Sequence, residues 1–145
     1  MIPKFRAWNK QTGTIQEIES ISFKEKKLVI EQQSIAWFNA DYIRNFDDIE
    51  LMQSTGLKDK NGVEIFEGDI LHRRVHVILS GTNLNEWVDE YIHVEWKYGG
   101  WHVGEDLLQF VIEEGIDRHT FFRQTAVEVV GNIYENSELL EVTKC

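Results

Sequence analysis

The sequence has one cysteine, Cys145, the last of its 145 residues. An intramolecular disulfide is therefore excluded, and so is a cysteine-based metal site. It has one proline, Pro3, so no segment reads as a stiff proline-rich linker. No apolar run approaches the roughly 18 residues of a membrane-spanning helix, and the start lacks the basic and apolar regions of a secretory leader. The signatures of phosphate, nucleotide and hydrolytic chemistry are missing too. There is no P-loop, no GxSxG, no HExxH, no CxxC and no dinucleotide-binding glycine fingerprint. These absences predict a soluble cytoplasmic protein that is not an enzyme, takes no cofactor and has no membrane partner.

Positive charge is also scarce. Fifteen Lys and Arg face 25 Asp and Glu, for a net charge of −10. The deficit is uneven: residues 1–52 carry seven Lys/Arg against eight Asp/Glu, and residues 53–145 carry eight against seventeen. Nonspecific nucleic-acid binding needs cations against phosphate, so the second region would be repelled by a duplex unless its charges were segregated. The plain reading of the acidic surface is solubility. The sharper reading is a basic partner, or mimicry of nucleic acid.

What is present is a core's worth of apolar residues, 42% hydrophobic and 12% aromatic, arranged in short alternating runs. Lys4–Trp8 reads as a strand, with Asn9–Gly13 as its turn. Ile21 and Phe23, then Leu28 and Ile30, alternate with polar residues around a turn at Glu25-Lys26-Lys27. Ile35, Trp37, Phe38, Tyr42, Ile43 and Phe46 fit neither helix nor strand period cleanly. Asp59-Lys60-Asn61-Gly62 is a strong turn signal, and Glu67-Gly68-Asp69 bends the chain again. A long strand follows from Asp69. It carries Leu71, Val75, Val77 and Leu79 on one face and Ile70, His72, Arg74, His76 and Ile78 on the other.

A two-residue turn at Gly99-Gly100 pairs Tyr98 with Trp101 and Trp96 with Val103. That register puts Val94, Trp96, Tyr98, Trp101 and Val103 on one face, and Glu95, Lys97 and His102 on the other. Residues 106–114 read as a helical turn or two, capped by Asp106 and ended by Gly115, with a strand as the alternative. Thr125–Asn132 reads as a strand ending at Gly131-Asn132, and Ser137 caps a last short helix. Gly56, Asn61, Gly62, Gly68, Gly99, Gly100 and Gly131 are read as structural turn positions.

Three features are weighed as sites. His72, Arg74 and His76 share a strand face and form a positive stripe suited to an anion, or else an ordinary solvated sheet face, which is preferred. The two histidines are about 13 Å apart along a strand, too far to share one zinc ion. The loop Ser80–Glu86, with Asn83 and Asn85, adds partner contacts beside that strand. The Trp96-Tyr98-Trp101 face could stack bases, although aromatics alternating with valine more often pack a core. The acidic pairs at 47–48 and 113–114 have no nearby His, Lys or Ser to make acid–base chemistry.

Three blocks of the chain resemble the YopX family of phage and prophage proteins: Lys4–Lys10, Thr55–Ile70 and Val129–Glu141. Ser54 stands where an aromatic is common and Ser137 where proline is common. The resemblance implies a mainly β fold: an N-terminal β-hairpin element over residues 1–52, then a small Src-homology-3-type β-barrel over residues 53–145 with one or two short helices. It implies a phage or prophage gene and a bacterial host cytoplasm, and it brings no established activity. Expected partners are a host or phage protein. The alternatives are a nucleic-acid-binding accessory factor, which needs His72, Arg73, Arg74 and His76 exposed, and a homo-oligomeric assembly factor.

Overall fold

The computed structural model describes residues 4–30, 43–118 and 120–142. They are mainly β-strand, with one short α-helix, and the chain divides into two units, Met1–Ser54 and Thr55–Cys145.

In the first unit, β1 (Phe5–Asn9), β2 (Thr14–Ser22), β3 (Lys27–Ile30), β4 (Ile43–Asn45) and the start of β5 (Ile49–Lys58) form an antiparallel sheet in the order β4-β3-β2-β1-β5. The β1–β2 turn follows from Asn9, whose Oδ1 accepts the amides of Gln11 and Thr12 at 2.9 and 3.3 Å. Lys26 takes the left-handed conformation (φ 57°) in the expected β2–β3 turn. Ala7, Leu28, Ile30 and Ile49 make the core, with Ile18, Ile21, Phe46 and Leu51 packed on it. Of the ambiguous aromatic segment, Ile35, Trp37, Phe38 and Tyr42 lie outside the described residues, Ile43 opens β4, and Phe46 begins a 3-10 turn.

The second unit continues β5 into β6 (Glu64–Phe66), β7 (Asp69–Ile78), β8 (Asn85–Lys97), β9 (Gly100–Val103), β10 (Asp106–Leu107), β11 (Gly115–Ile116), β12 (Arg123–Gln124), β13 (Glu128–Asn132) and α1 (Glu138–Val142). β7 is the spine. It pairs β8 from Ile70↔His93 to Ile78↔Asn85 on one side. On the other it pairs β13 and then β12. Ile65, Leu71, Val94, Val103, Leu108, Val111 and Val127 form the core.

The Asp59 turn does more than reverse the chain. The Asp59 carboxylate accepts the amides of Asn61 (2.8 Å) and Val63 (2.9 Å) on Oδ1 and of Val129 (2.8 Å) on Oδ2. Gly62 sits at φ 80° and Gly68 at φ 84° in the two flanking turns. Gly56, at φ 78°, lies inside β5 instead of in a turn.

Beyond Gly56, the structure differs from or decides three further readings. The β8–β9 turn is Tyr98-Gly99, not Gly99-Gly100: Lys97 pairs Gly100 and Trp96 pairs Trp101. Tyr98 (φ 54°) and Gly99 (φ 78°) are both left-handed, as a type I′ hairpin requires. Moving the turn by one residue moves each partner by two, so the sorting of faces survives. Gly100 is a strand residue, where a Cβ would stand 3.2 Å from Leu107 Cδ2.

Of the two alternatives for residues 106–114, the helix is absent and only a two-residue strand forms. Asp106 belongs to β10, a 3-10 turn spans Leu108–Phe110, and Gly115 opens β11. That turn already drives Leu108 and Val111 into the core. The Gln124 amide donates to the Val111 and Glu113 carbonyls (3.2 and 3.3 Å), tying this irregular segment to β12.

Gly131 is also a strand residue, just past a bulge in β13. The turn is made by Asn132, whose Oδ1 accepts the amides of Tyr134 and Glu135 at 3.0 and 2.9 Å.

Candidate interaction surface

His72, Arg74 and His76 do share one face of β7, but the neighbouring strands place acids directly opposite. Arg74 pairs in register with Asp89, and His72 with Glu128. His72 Nε2 lies 2.7 Å from Asp89 Oδ1, and its Nδ1 lies 3.0 Å from Glu128 Oε1. Arg74 Nε is 3.7 Å from the same Asp89 oxygen, and Lys60 Nζ is 3.6 Å from Glu128 Oε2. The stripe is therefore a cross-strand lattice of alternating charge, not a free cationic track. The hydrogen bond from His72 holds the Asp89 carboxyl below its ordinary range. Burial acts against it, and the charges of His72 and Arg74 add to it.

His76 is different. Its ring stacks on Trp87 (centroids 4.7 Å apart, planes at 14°), and Nε2 meets Asn85 Oδ1 at 2.5 Å. Asn85 opens β8, while Asn83 is exposed in the loop before it.

Arg73 is the residue whose role the sequence reading missed. It falls on the inner face between Leu71 and Val75 and is only 6% exposed. Its guanidinium donates to Gln124 Oε1, to Glu90 Oε1 at 3.0 Å and to Asp117 Oδ2 at 3.4 Å. Arg73 and Glu90 are register partners. The signal was there: an arginine in phase with Leu71 and Val75 on a strand must either snorkel or find buried acids.

This buried cation anchors a hairpin. Asp117 receives Arg73 on Oδ2 and the Thr120 amide on Oδ1 (3.0 Å). Its backbone donates to the Phe122 carbonyl (2.8 Å) and accepts the Phe121 amide (2.9 Å). The loop so clamped carries Phe121 at φ 62° and 78% exposed. Ile116, at the base of the same hairpin, is 64% exposed. Beside it runs an open groove of about 400 Å³ lined by Trp87, Glu114, Ile116, Arg123, Gln124 and Thr125. Arg118 stacks on Phe110 at 3.7 Å.

The aromatic face of the β8–β9 hairpin is split. Val94 and Val103 are core, Trp101 packs against that core, and Trp96 and Tyr98 point to solvent. Trp96 meets Trp101 edge-on at 4.9 Å. Among the described residues no group of three or more His, Cys, Asp or Glu is arranged to hold a metal ion, and no helix is long and apolar enough to cross a membrane.

Among curated proteins none matches the chain. Among solved structures, the chain is similar to the crystal structure of protein EF1440 from Enterococcus faecalis. The TM-score is 0.62 and the identity 26%, over 97% of this chain and 99% of that one. The family model for the YopX protein matches residues 4–141, which brackets both units. The chain belongs to the YopX family.

Proposed function

We propose that this chain is a non-catalytic protein-interaction module, encoded by a phage or prophage and working in the cytoplasm of its bacterial host. The observation that carries the reading is Phe121. A bulky aromatic in the left-handed region costs about 1–2 kcal/mol, and leaving it 78% exposed forgoes burial worth roughly 1.5–3 kcal/mol. Both costs fall on a loop whose Asp117 is bound by the buried Arg73. A solvent-facing aromatic on the hairpin whose Ile116 lines a groove suits an anchor residue presented to a partner. We read the second unit as a small barrel of the Src-homology-3 type. Support comes from β7, which pairs with β8 along one side and with β13 and β12 in succession along the other.

The nucleic-acid reading has less support, because Arg73 is buried and His72 and Arg74 face carboxylates. Trp96 and Tyr98, 54% and 81% exposed, favour self-association as the second reading, which light scattering tests.

The experiment is a tagged pull-down from host lysate after nuclease treatment, comparing wild type with Phe121→Asn and with Ile116→Ser. Asparagine accepts the left-handed conformation, so Phe121→Asn should melt at or above wild type while losing the captured protein. A partner retained equally by both variants would place the binding surface elsewhere. Recovery that disappears with nuclease would favour nucleic acid.

A further inference from the structure

His72 poses a chemical question that the interaction reading does not use. Both of its ring nitrogens face carboxylate oxygens: Nε2 faces Asp89 on β8 at 2.7 Å, and Nδ1 faces Glu128 on β13 at 3.0 Å. An ionised carboxylate only accepts hydrogen bonds, and a neutral imidazole carries one N–H. Both contacts are hydrogen bonds only when the ring holds two protons. When one proton leaves, a nitrogen lone pair faces a carboxylate lone pair, and one of the two strands loses its tie.

The surroundings define the device. The ring is mostly covered, its side chain 18% exposed. From β8, Asp89 and Tyr91 face it, the tyrosine ring at 5.1 Å. From β13 comes Glu128, itself met by Lys60 from the Asp59 turn at 3.6 Å. On β7 itself, Arg74 reaches Asp89 at 3.7 Å. Two carboxylates thus touch the ring, and two cations stand behind them. The acids are in direct contact with the ring, whereas Lys60 and Arg74 act through them. Asp89, held in its ionised form by the same contact, stays an acceptor through the range in which a histidine titrates.

We propose that His72 is a proton-operated clasp that ties the C-terminal strand β13 to the β7–β8 ribbon, closed while the ring is an imidazolium and released when it becomes neutral. The sign follows from the contacts. The closed state binds the extra proton, so its stabilisation is present on the acid side of the ring's titration and lost on the alkaline side. β13 is the strand that yields, because it is short, carries a bulge at Val130 and pairs β7 over only a few residues. β8 pairs along the whole of β7.

The test is native-state hydrogen exchange with pH, corrected for intrinsic exchange, read at the amides of β13 and, as a reference, at those of β8. Ring ¹⁵N shifts give the His72 titration independently. The expected result is a loss of about ten-fold in β13 protection, the scale of one charge-assisted hydrogen bond, across the same pH interval in which the ring titrates. β8 should be unchanged. In His72→Gln the step should vanish. The double variant Asp89→Asn with Glu128→Gln keeps the imidazole and removes both acceptors, so it should also lose the step should His72→Gln fail to fold. Protection of β13 that stays flat through the ring's titration would overturn the proposal. A step of the same size in either variant would do so too.

Discussion

Replacing Arg73 by methionine isolates the energetics of the buried cation. Methionine keeps most of the aliphatic stem and suits the Leu71–Val75 face, so little cavity is created. What is lost is the guanidinium, with its bonds to Gln124, to Glu90 at 3.0 Å and to Asp117 at 3.4 Å. Breaking a buried pair by removing one member costs about 3–5 kcal/mol, because the other charge stays behind uncompensated. Asp117 is 8% exposed but keeps the Thr120 amide on Oδ1, and the Glu90 side chain is 33% exposed and can turn to water. The expected loss is therefore near the lower end, about 3 kcal/mol, or roughly 10 °C in Tm for a chain of this size. Urea unfolding followed by tryptophan fluorescence measures it. The double variant Arg73→Met with Asp117→Asn removes the stranded charge and should recover about 1 kcal/mol or more as coupling. A loss under about 0.5 kcal/mol, the level of an ordinary surface change, would refute the reasoning. Zero coupling would assign the loss to packing instead of charge.

Further expectations rest on single positions. A Cβ at Gly131 would stand 2.6 Å from Asn136 Cγ and 2.9 Å from Asn136 Cβ. Gly131→Ala should therefore destabilise by about 1–3 kcal/mol in thermal unfolding, although no positive φ is involved. Gly99→Ala meets open space but sits at φ 78°, and it should cost about 1 kcal/mol by urea midpoint. Tyr98→Asn in the same turn should gain about 0.5 kcal/mol, since type I′ turns favour Asn-Gly. The Asp89 carboxyl, held low by His72, contributes stability that is complete from about pH 4 up to the His72 transition proposed above, and lost as pH falls through its depressed value. Tm against pH for Asp89→Asn should lack that part of the acid limb.

Strands and tight turns were legible wherever they depend on neighbours in sequence. Asn9, Asp59-Gly62 and Gly68 announce their turns through side-chain acceptors and glycine's freedom at positive φ, and the alternation in β7 gave its two faces. What depends on distant chain was not legible. The carboxylates that neutralise the His72–Arg74 stripe are register partners from β8 and β13, so a local reading saw only cations. Helix and strand stayed open over residues 106–114, because the partner of this segment, Gln124, arrives from later in the chain to bind the Val111 and Glu113 carbonyls. Tyr98 was read as a strand residue because a Gly-Gly pair looked like the natural turn. In the structure Tyr98 and Gly99 take the two left-handed positions and Gly100 pairs with Lys97 in the strand. Phe121 gave no signal at all, since nothing in its sequence neighbourhood marks an aromatic that will be held out in solvent.

The Asp59 carboxylate joins residues 70 apart in sequence, and this has a consequence for biosynthesis. One of its oxygens serves the local turn, while the other awaits the Val129 amide. Lys60 likewise donates its amide to the Val127 carbonyl. On a ribosome the strands emerge in order, so β7 and β8 can zip together long before β12 and β13 exist. During that interval one edge of β7 is an unpaired row of amides and carbonyls, the kind of edge that recruits foreign strands. Closure over such a sequence distance is slow. β13 is the strand that retires this hazard, so chains that stop short of residue 129 should be lost to aggregation or proteolysis instead of accumulating as a shorter folded form.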